Sequence, residues 1–272
     1  MTAADTSPGT LVEIDNLAFA YGGAWAIDGC SFDIHRGQVT GLIGPNGAGK
    51  STLIENLSGT LRPARGRLVY DGTDITRLSA SHRARLGIVR TFQNARVFPR
   101  LPVLENVMIA AQEQRGESAF RAILWRRSWL AQERELRDEA ATLLDWLGLT
   151  EHLDRPAGTL SGGQRRLLEM ARALMAKPTL LLLDEPTAGV FPETSQLIAA
   201  RVREIADQGV TILLIAHNMG FLSAVADDVV VMAEGKVLMR GPLDEVRANE
   251  EVISAYLGVT MAHSAEREGA EG

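Results

Sequence analysis

The chain has one cysteine, Cys30, among 272 residues, so it can form no internal disulfide and no cysteine-based zinc site, which suits a reducing compartment. It also lacks an excess of basic charge: 28 Lys and Arg stand against 34 Asp and Glu, a formal net charge of -6, which makes nucleic acid a poor partner. Long hydrophobic runs are missing too. Apolar runs such as Leu180–Leu183 and Val210–Ala216 fall far below the roughly 18 apolar residues of a membrane span. Met1–Thr10 has neither a basic nor an apolar leader-like region, so no secretory leader is expected. If the protein works at a membrane, another chain does the crossing. What is present is a 46% hydrophobic composition, enough to bury a sizeable core as one large α/β domain or as a core with a small inserted subdomain.

Three short segments carry the chemistry. Gly44-Pro45-Asn46-Gly47-Ala48-Gly49-Lys50-Ser51 has the G-x-x-x-x-G-K-[ST] spacing. In this pattern the glycines let backbone N–H groups close around phosphate oxygens, and the lysine, here Lys50, neutralises the terminal ones. Val39–Ile43 reads as a short strand before the loop, and Lys50–Ser58 as a helix whose N-terminus faces the phosphates. The implied ligand is a nucleoside triphosphate with Mg²⁺. Ser51 is expected to coordinate the ion, and Thr52 to add a hydroxyl near the phosphates. Asp184 ends an apolar strand and is placed to hold Mg²⁺ through water, with Glu185 beside it to orient or deprotonate the attacking water. Without the glycine loop, the pair would read as acidic helix caps before Pro186.

The third segment is Leu160-Ser161-Gly162-Gly163-Gln164, ahead of a helix expected over about Gln164–Ala176. The exposed amides of Ser161, Gly162 and Gly163 and the positive helix end make a second anion site; the plainer reading is a serine cap with a flexible turn. If both devices grip one nucleotide, they are expected to come from different subunits, because a subdomain separates them along the chain.

The apolar runs Leu180–Leu183, Val210–Ile215 and Val229–Met232 lack polar alternation, as strands covered on both faces of a parallel sheet do. Helical segments, among them Glu193–Asp207, alternate with them, which predicts an α/β layered fold. Gly22-Gly23, Gly66 and Asp71-Gly72 punctuate a strand-like opening third, predicting an antiparallel portion beside the core sheet. From about Glu105 to Leu149 the pattern is helical and charged, with Trp125, Trp129 and Trp146, and reads as an inserted helical subdomain. Within it, the basic and aromatic stretch Arg121–Trp129 fits a solvated helix face with tryptophans packed inward, or contact with a membrane subunit or an anionic leaflet.

On these residues the chain resembles the ATP-binding subunit of an ATP-binding cassette (ABC) transporter. The likeness covers about residues 11–258 and rests on Gly44–Ser51, Gln93, the LSGGQ signature at Leu160–Gln164, the strand Leu180–Glu185 and His217. It implies a P-loop NTPase (RecA-like) core, with an N-terminal antiparallel β portion and a helical subdomain at about 94–165. One ATP-binding domain would fill residues 1–258, and a disordered polar tail residues 259–272. The cofactors would be ATP and Mg²⁺. Two such subunits, identical or paralogous, would sandwich ATP head to tail between one glycine loop and the other signature. By the resemblance Tyr21 stacks on adenine, Gln93 links Mg²⁺ to the membrane-subunit contact, and His217 contacts the γ-phosphate; taken alone, Tyr21 also fits a turn-flanking aromatic, Gln93 a surface polar residue and His217 a structural histidine. Lys50, Glu185 and His217 are then the catalytic group. The partners would be transmembrane permease subunits, a second ATP-binding subunit and a substrate-binding protein, at the cytoplasmic face of the membrane.

A narrower likeness is to subunits importing branched-chain and related amino acids, carried by Val89-Arg90-Thr91-Phe92-Gln93, by Phe98 through Glu105-Asn106, and by Ala255-Tyr256-Leu257-Gly258. Lipopolysaccharide-export ATPases share a similar ending, so export stays open at this point. A soluble ABC ATPase of repair or translation would bring a long coiled coil or a second cassette, and neither pattern is in the sequence. A P-loop kinase would leave Leu160–Gln164 unexplained. Two departures from the family stand out. Phe191 follows Ala188-Gly189-Val190 where Asp or Asn is usual, and Ala216 and Asn218 flank His217 where importer relatives often have Glu and Asp. With Glu185 and His217 in place, an active ATPase is predicted.

Overall fold

The structure, a computed structural model, describes residues 9–91, 97–111 and 126–255, with side chains in the last stretch from residue 132 onward. Two sheets form it. In the first, β1 (Thr10–Tyr21) and β2 (Ala24–His35) turn back on each other at Gly22 and Gly23, which hold φ of 54° and 96°. β4 (Arg65–Tyr70) pairs antiparallel with β1, and β5 (Thr73–Asp74) with β4, giving the order β2-β1-β4-β5. This is the antiparallel portion that the glycine punctuation predicts.

The second sheet has six strands in the order β10-β9-β3-β8-β7-β6. β3 (Val39–Ile43), β6 (Ile88–Arg90), β7 (Leu180–Asp184), β8 (Thr211–Ile215) and β9 (Asp228–Ala233) run parallel, and β10 (Lys236–Gly241) runs antiparallel to β9. The aliphatic runs have a physical reason: both faces of this sheet are covered. Leu181, Leu183, Ile212, Leu214, Val229 and Val231 point into a core shared with the helices. Their alternates Leu182, Leu213, Ile215, Val230 and Met232 point into a second core shared with the antiparallel sheet and α1 (Lys50–Ser58). A polar residue at any of these positions would lose its water without gaining a partner. Leu42 and Asp184 both register against Ile215, so the C-terminal ends of β3, β8 and β7 lie side by side. In an open parallel sheet that edge is where ligands bind.

The helical layer is α3 (Val103–Met108), α4 (Arg126–Trp146), α5 (Gly162–Met175) and α6 (Pro192–Asp207), with shorter α2 (Ala80–Arg85), α7 (Met219–Val225) and α8 (Leu243–Ala248). Trp146 ties α4 to α6 by an indole N–H···Glu204 Oε2 bond of 2.7 Å, with the Arg201 guanidinium 4.7 Å over its ring. Buried Asn106 accepts from the Phe98 N–H and donates to the Phe98, Leu101 and Pro102 carbonyls, fixing the approach to α3. Boundaries differ from the sequence reading by a residue or two. α5 starts at Gly162, ahead of the expected Gln164, because Ser161 and Gln164 cap each other reciprocally. Phe92, Gln93, Trp125, the side chains of Arg126, Arg127 and Trp129, and residues 256–272 with Tyr256–Gly258 lie outside the described residues.

Candidate nucleotide site

The loop after β3 is shaped by main-chain contact. Gly44 sits at φ 149°, where a Cβ would lie 2.0 Å from the Met232 carbonyl oxygen, and Gly49 at φ 96°, where it would lie 2.3 Å from the Ala26 carbonyl oxygen. Any side chain at either position would push the loop off β9 or β2. Pro45 is half-buried, Asn46 and Gly47 are exposed, and Ala48 is buried, so the rim of the loop faces solvent above a fixed base. Lys50 is 7% exposed and donates from Nζ to the Gly44 and Pro45 carbonyls, each at 2.8 Å. Burial pulls its ammonium below the usual lysine pKa, and the charges of Glu185 and Asp184 pull it back. An ammonium has three donors, so one N–H is left for an anion in the loop. Ser51 is exposed and Thr52 half-buried on the first turn of α1.

Asp184, at the end of β7, is 1% exposed. Its Oδ2 accepts from Arg90 Nη2 at 3.1 Å, while Oδ1 is buried with no hydrogen-bond partner among the described residues. Burial raises the pKa of this carboxyl and Arg90 opposes the rise. A buried, unpartnered carboxylate oxygen is costly unless a cation or water meets it. Among the described residues no three His, Cys, Asp or Glu are grouped so that they could hold a metal ion by themselves. Asp184 Oδ1 therefore suits a hard divalent cation that takes its other ligands from phosphate and water, with the exposed Ser51 hydroxyl the further ligand the loop pattern offers.

Glu185 turns off the strand at φ 50°, its N–H bonded to the Ile215 carbonyl at 3.0 Å. That turn brings Oε1 to 3.0 Å from His217 Nε2. The two residues follow adjacent strands β7 and β8, so the sheet register itself sets the pair.

The signature opens α5. Ser161 Oγ accepts from the Gln164 N–H at 3.2 Å, Gln164 Oε1 accepts from the Ser161 N–H at 2.9 Å, and Gln164 Nε2 meets His152 Nε2 at 2.9 Å. The cap uses the Ser161 and Gln164 amides and leaves those of Gly162 and Gly163. A Cβ on Gly163 would come within 3.1 Å of the Thr194 side chain, so this end of α5 sits against the start of α6. There Phe191 occupies the N-cap with no side-chain capping bond and is 80% exposed. Tyr21, at the end of β1, is 52% exposed, edge-on to Phe19 with centroids 4.8 Å apart, and donates its hydroxyl to Glu55 Oε2 at 3.3 Å. The structure thus gathers the Gly44–Thr52 loop, Asp184, Glu185 and His217, and among the described residues no hydrogen bond joins Ser161–Gln164 to them. Sequence reasoning missed Arg90 and Glu55 as members of the site. An arginine ending a short strand was the available signal for the first, and Glu55 on α1 offered none.

A glycine loop joining a strand to a helix at the ligand edge of a parallel sheet, beside a strand ending in a buried carboxylate, defines a P-loop nucleotide-binding protein. A family profile described as ABC transporter matches residues 27–188, and one described as branched-chain amino acid ATP-binding cassette transporter matches residues 236–261. The chain belongs to the ATP-binding family of ABC transporters. It is 38% identical over 249 residues to the high-affinity branched-chain amino acid transport ATP-binding protein BraF of Pseudomonas aeruginosa, covering 91% of this chain and 98% of that one. The corresponding LivG protein of Escherichia coli is 35% identical with the same coverage. A solved ATP-binding cassette of an ABC transporter in its ADP conformation superposes with a TM-score of 0.80 at 35% identity, covering 92% of this chain and 99% of that one. A nucleotide-free ATP-binding cassette gives 0.79 at 34% identity, covering 91% and 98%. Among the described residues no helix is long and apolar enough to cross a membrane.

Proposed function

We propose that the chain hydrolyses ATP to power a membrane transporter taking up branched-chain or related amino acids. The observation that carries the reading is the 3.0 Å contact between Glu185 and His217, on the strand ends beside the loop of Lys50. The phosphates lie in the Gly44–Ser51 loop against Lys50 and the first amides of α1, with Thr52 nearby and the adenine on Tyr21. Ser51 and Asp184 would hold the metal, with Gln93, which lies outside the described residues. Mg²⁺, when bound, offsets charge between the outer phosphates. Glu185 accepts a proton from the attacking water as its oxygen bonds to the γ-phosphorus, and the bond to the bridging oxygen breaks to release ADP and phosphate. His217 holds Glu185 until a γ-phosphate draws the imidazole toward itself.

The second anion site, at Ser161–Gln164, serves the nucleotide of a second ATP-binding subunit across a head-to-tail seam. ADP lacks the phosphate that bridges the two, so hydrolysis favours opening, the differential affinity that moving permease subunits requires. The chain would sit peripherally at the cytoplasmic face of the membrane, joined to permeases and served by a substrate-binding protein. Its ATP-binding domain spans residues 1–258, with the helical subdomain at about 94–165. The match over residues 236–261 supports amino-acid import over lipid export.

Glu185→Gln tests this. Turnover should fall by roughly 10²- to 10⁴-fold, the usual worth of a positioned general base, with ATP affinity retained. Unchanged hydrolysis by the variant would reject Glu185 as the base and the reading built on it.

A further inference from the structure

Four side chains run in line from the proposed base site to the proposed metal site. The Tyr21 hydroxyl donates to Glu55 Oε2 at 3.3 Å; Glu55 Oε1 lies 3.6 Å from Arg90 Nη1; Arg90 Nη2 donates to Asp184 Oδ2 at 3.1 Å. Water exposure drops along the line, from 52% at Tyr21, through side-chain values of 29% at Glu55 and 10% at Arg90, to 1% at Asp184. The two ends of one rigid guanidinium fork thus face different carboxylates. A lysine in the same place would bring a single point charge, and could not fix the direction of both contacts.

The consequence shows at Asp184. Arg90 occupies Oδ2, and Oδ1 is the oxygen left buried and unpartnered among the described residues. Glu55, Asp184 and Glu185 also outnumber Arg90 and Lys50 at this sheet end, which favours a further cation there. Glu55, on α1, stops the fork from swinging away from β7. Its remaining oxygen accepts from the Tyr21 hydroxyl.

We infer that Arg90 is a positioning residue that sets which oxygen of Asp184 faces the metal, and that Glu55 ties this fork to Tyr21, so the base and metal ends of the nucleotide site are coupled through the protein. The inference rests on the proposed roles of Tyr21 and Asp184. It adds that loosening the tyrosine weakens the metal dependence of binding, although Tyr21 touches no phosphate.

The test uses the purified full-length chain and the ratio of ATP dissociation constants measured in EDTA and in saturating Mg²⁺, a binding readout independent of turnover. Tyr21→Phe keeps the ring and removes the hydroxyl; Glu55→Gln keeps the shape and removes the charge. Both are partly exposed and leave the core intact. Each should shrink the Mg²⁺ enhancement by about three- to tenfold, the range of one hydrogen bond or exposed ion pair, and Tyr21→Phe should add little on top of Glu55→Gln. Arg90→Lys should reduce the enhancement further. An enhancement untouched by Tyr21→Phe and Glu55→Gln, in a chain whose wild type binds ATP with clear Mg²⁺ dependence, overturns the coupling and leaves the nucleotide reading standing. Strictly additive effects of the two substitutions overturn the shared path. A wild-type chain that binds no ATP overturns both readings together.

Discussion

Two helices in this chain begin at glycine-rich turns, and they begin differently. α1 starts after Gly49 with no side-chain cap, so its first amides stay unused and the nearest cation, Lys50, is folded onto the loop's own carbonyls. α5 starts after Ser161 with a complete capping box, exposed and neutral. The first end is built around a missing charge: a buried ammonium, a loop pinned at Gly44 and Gly49, and an open carboxylate oxygen at Asp184 nearby. The second satisfies itself and has only the Gly162 and Gly163 amides to offer. On the proposed reading, one end would bind by itself and the other would add to something already bound.

Lys50→Ala breaks the comparison most sharply. It removes the one buried cation of the loop, and ATP affinity of the single chain should drop by about a hundredfold, the worth of one or two charge-assisted hydrogen bonds. Equilibrium titration with ATP reads this directly, and a change of less than a few-fold would show that the loop binds through its backbone alone. The mirror experiment is Gly163→Val. Its branched side chain would crowd Thr194 and cover the α5 amides. Single-chain ATP affinity should stay unchanged, while turnover in the assembled transporter falls at least about tenfold, as when a preorganised backbone donor is lost. Equal losses in both assays would mean that the two helix ends are not divided between separate subunits.

Phe191 belongs to the same comparison, because it stands beside the α5 end, 80% exposed where the family's pattern calls for a hydrogen-bonding side chain. An apolar ring cannot replace that bond across a seam. Phe191→Asn should strengthen coupling between the two nucleotide sites by a few-fold, seen as a steeper dependence of transport-coupled turnover on ATP, with single-chain binding unaltered. No steepening would mean that this position does not contact the second subunit.

The parallel sheet was readable because a strand covered on both faces is aliphatic at every position, as Leu180–Leu183 and Val229–Met232 are. The loop was readable because phosphate binding needs glycine where Met232 and Ala26 come within about 2 Å of a would-be Cβ. The Glu185 and His217 pair was readable in composition but not in contact, since the 3.0 Å approach depends on the register of β7 against β8 and on a left-handed Glu185. Arg90 and Glu55 stayed hidden for a related reason. They lie 35 residues apart in the chain, by their numbering, and meet only because β6 lies beside β7 and α1 packs over the same sheet end. Helix ends were misjudged by up to two residues where side chains, as at Ser161, settle the first turn.

The smallest expected effect sharpens the contrast from the stability side. Ser161→Ala deletes the oxygen that accepts from the Gln164 amide at 3.2 Å, leaving the return bond from the Ser161 N–H to Gln164 Oε1 in place. Half a capping box is lost, and the cost should be about 1 kcal/mol, read as a lower denaturant midpoint with an unchanged slope. ATP affinity of the single chain should not move, because the hydrogen bonds of this cap go to Gln164 and His152 and none to the Lys50 loop. At the other helix no such gentle change exists. Alanine at Gly49 would meet the Ala26 main chain at 2.3 Å in a left-handed backbone, so there the cap position and the ligand site are the same atoms. If Ser161→Ala instead weakened single-chain ATP binding as strongly as it lowered stability, the two ends would share one nucleotide within one chain, and the division between them would fail.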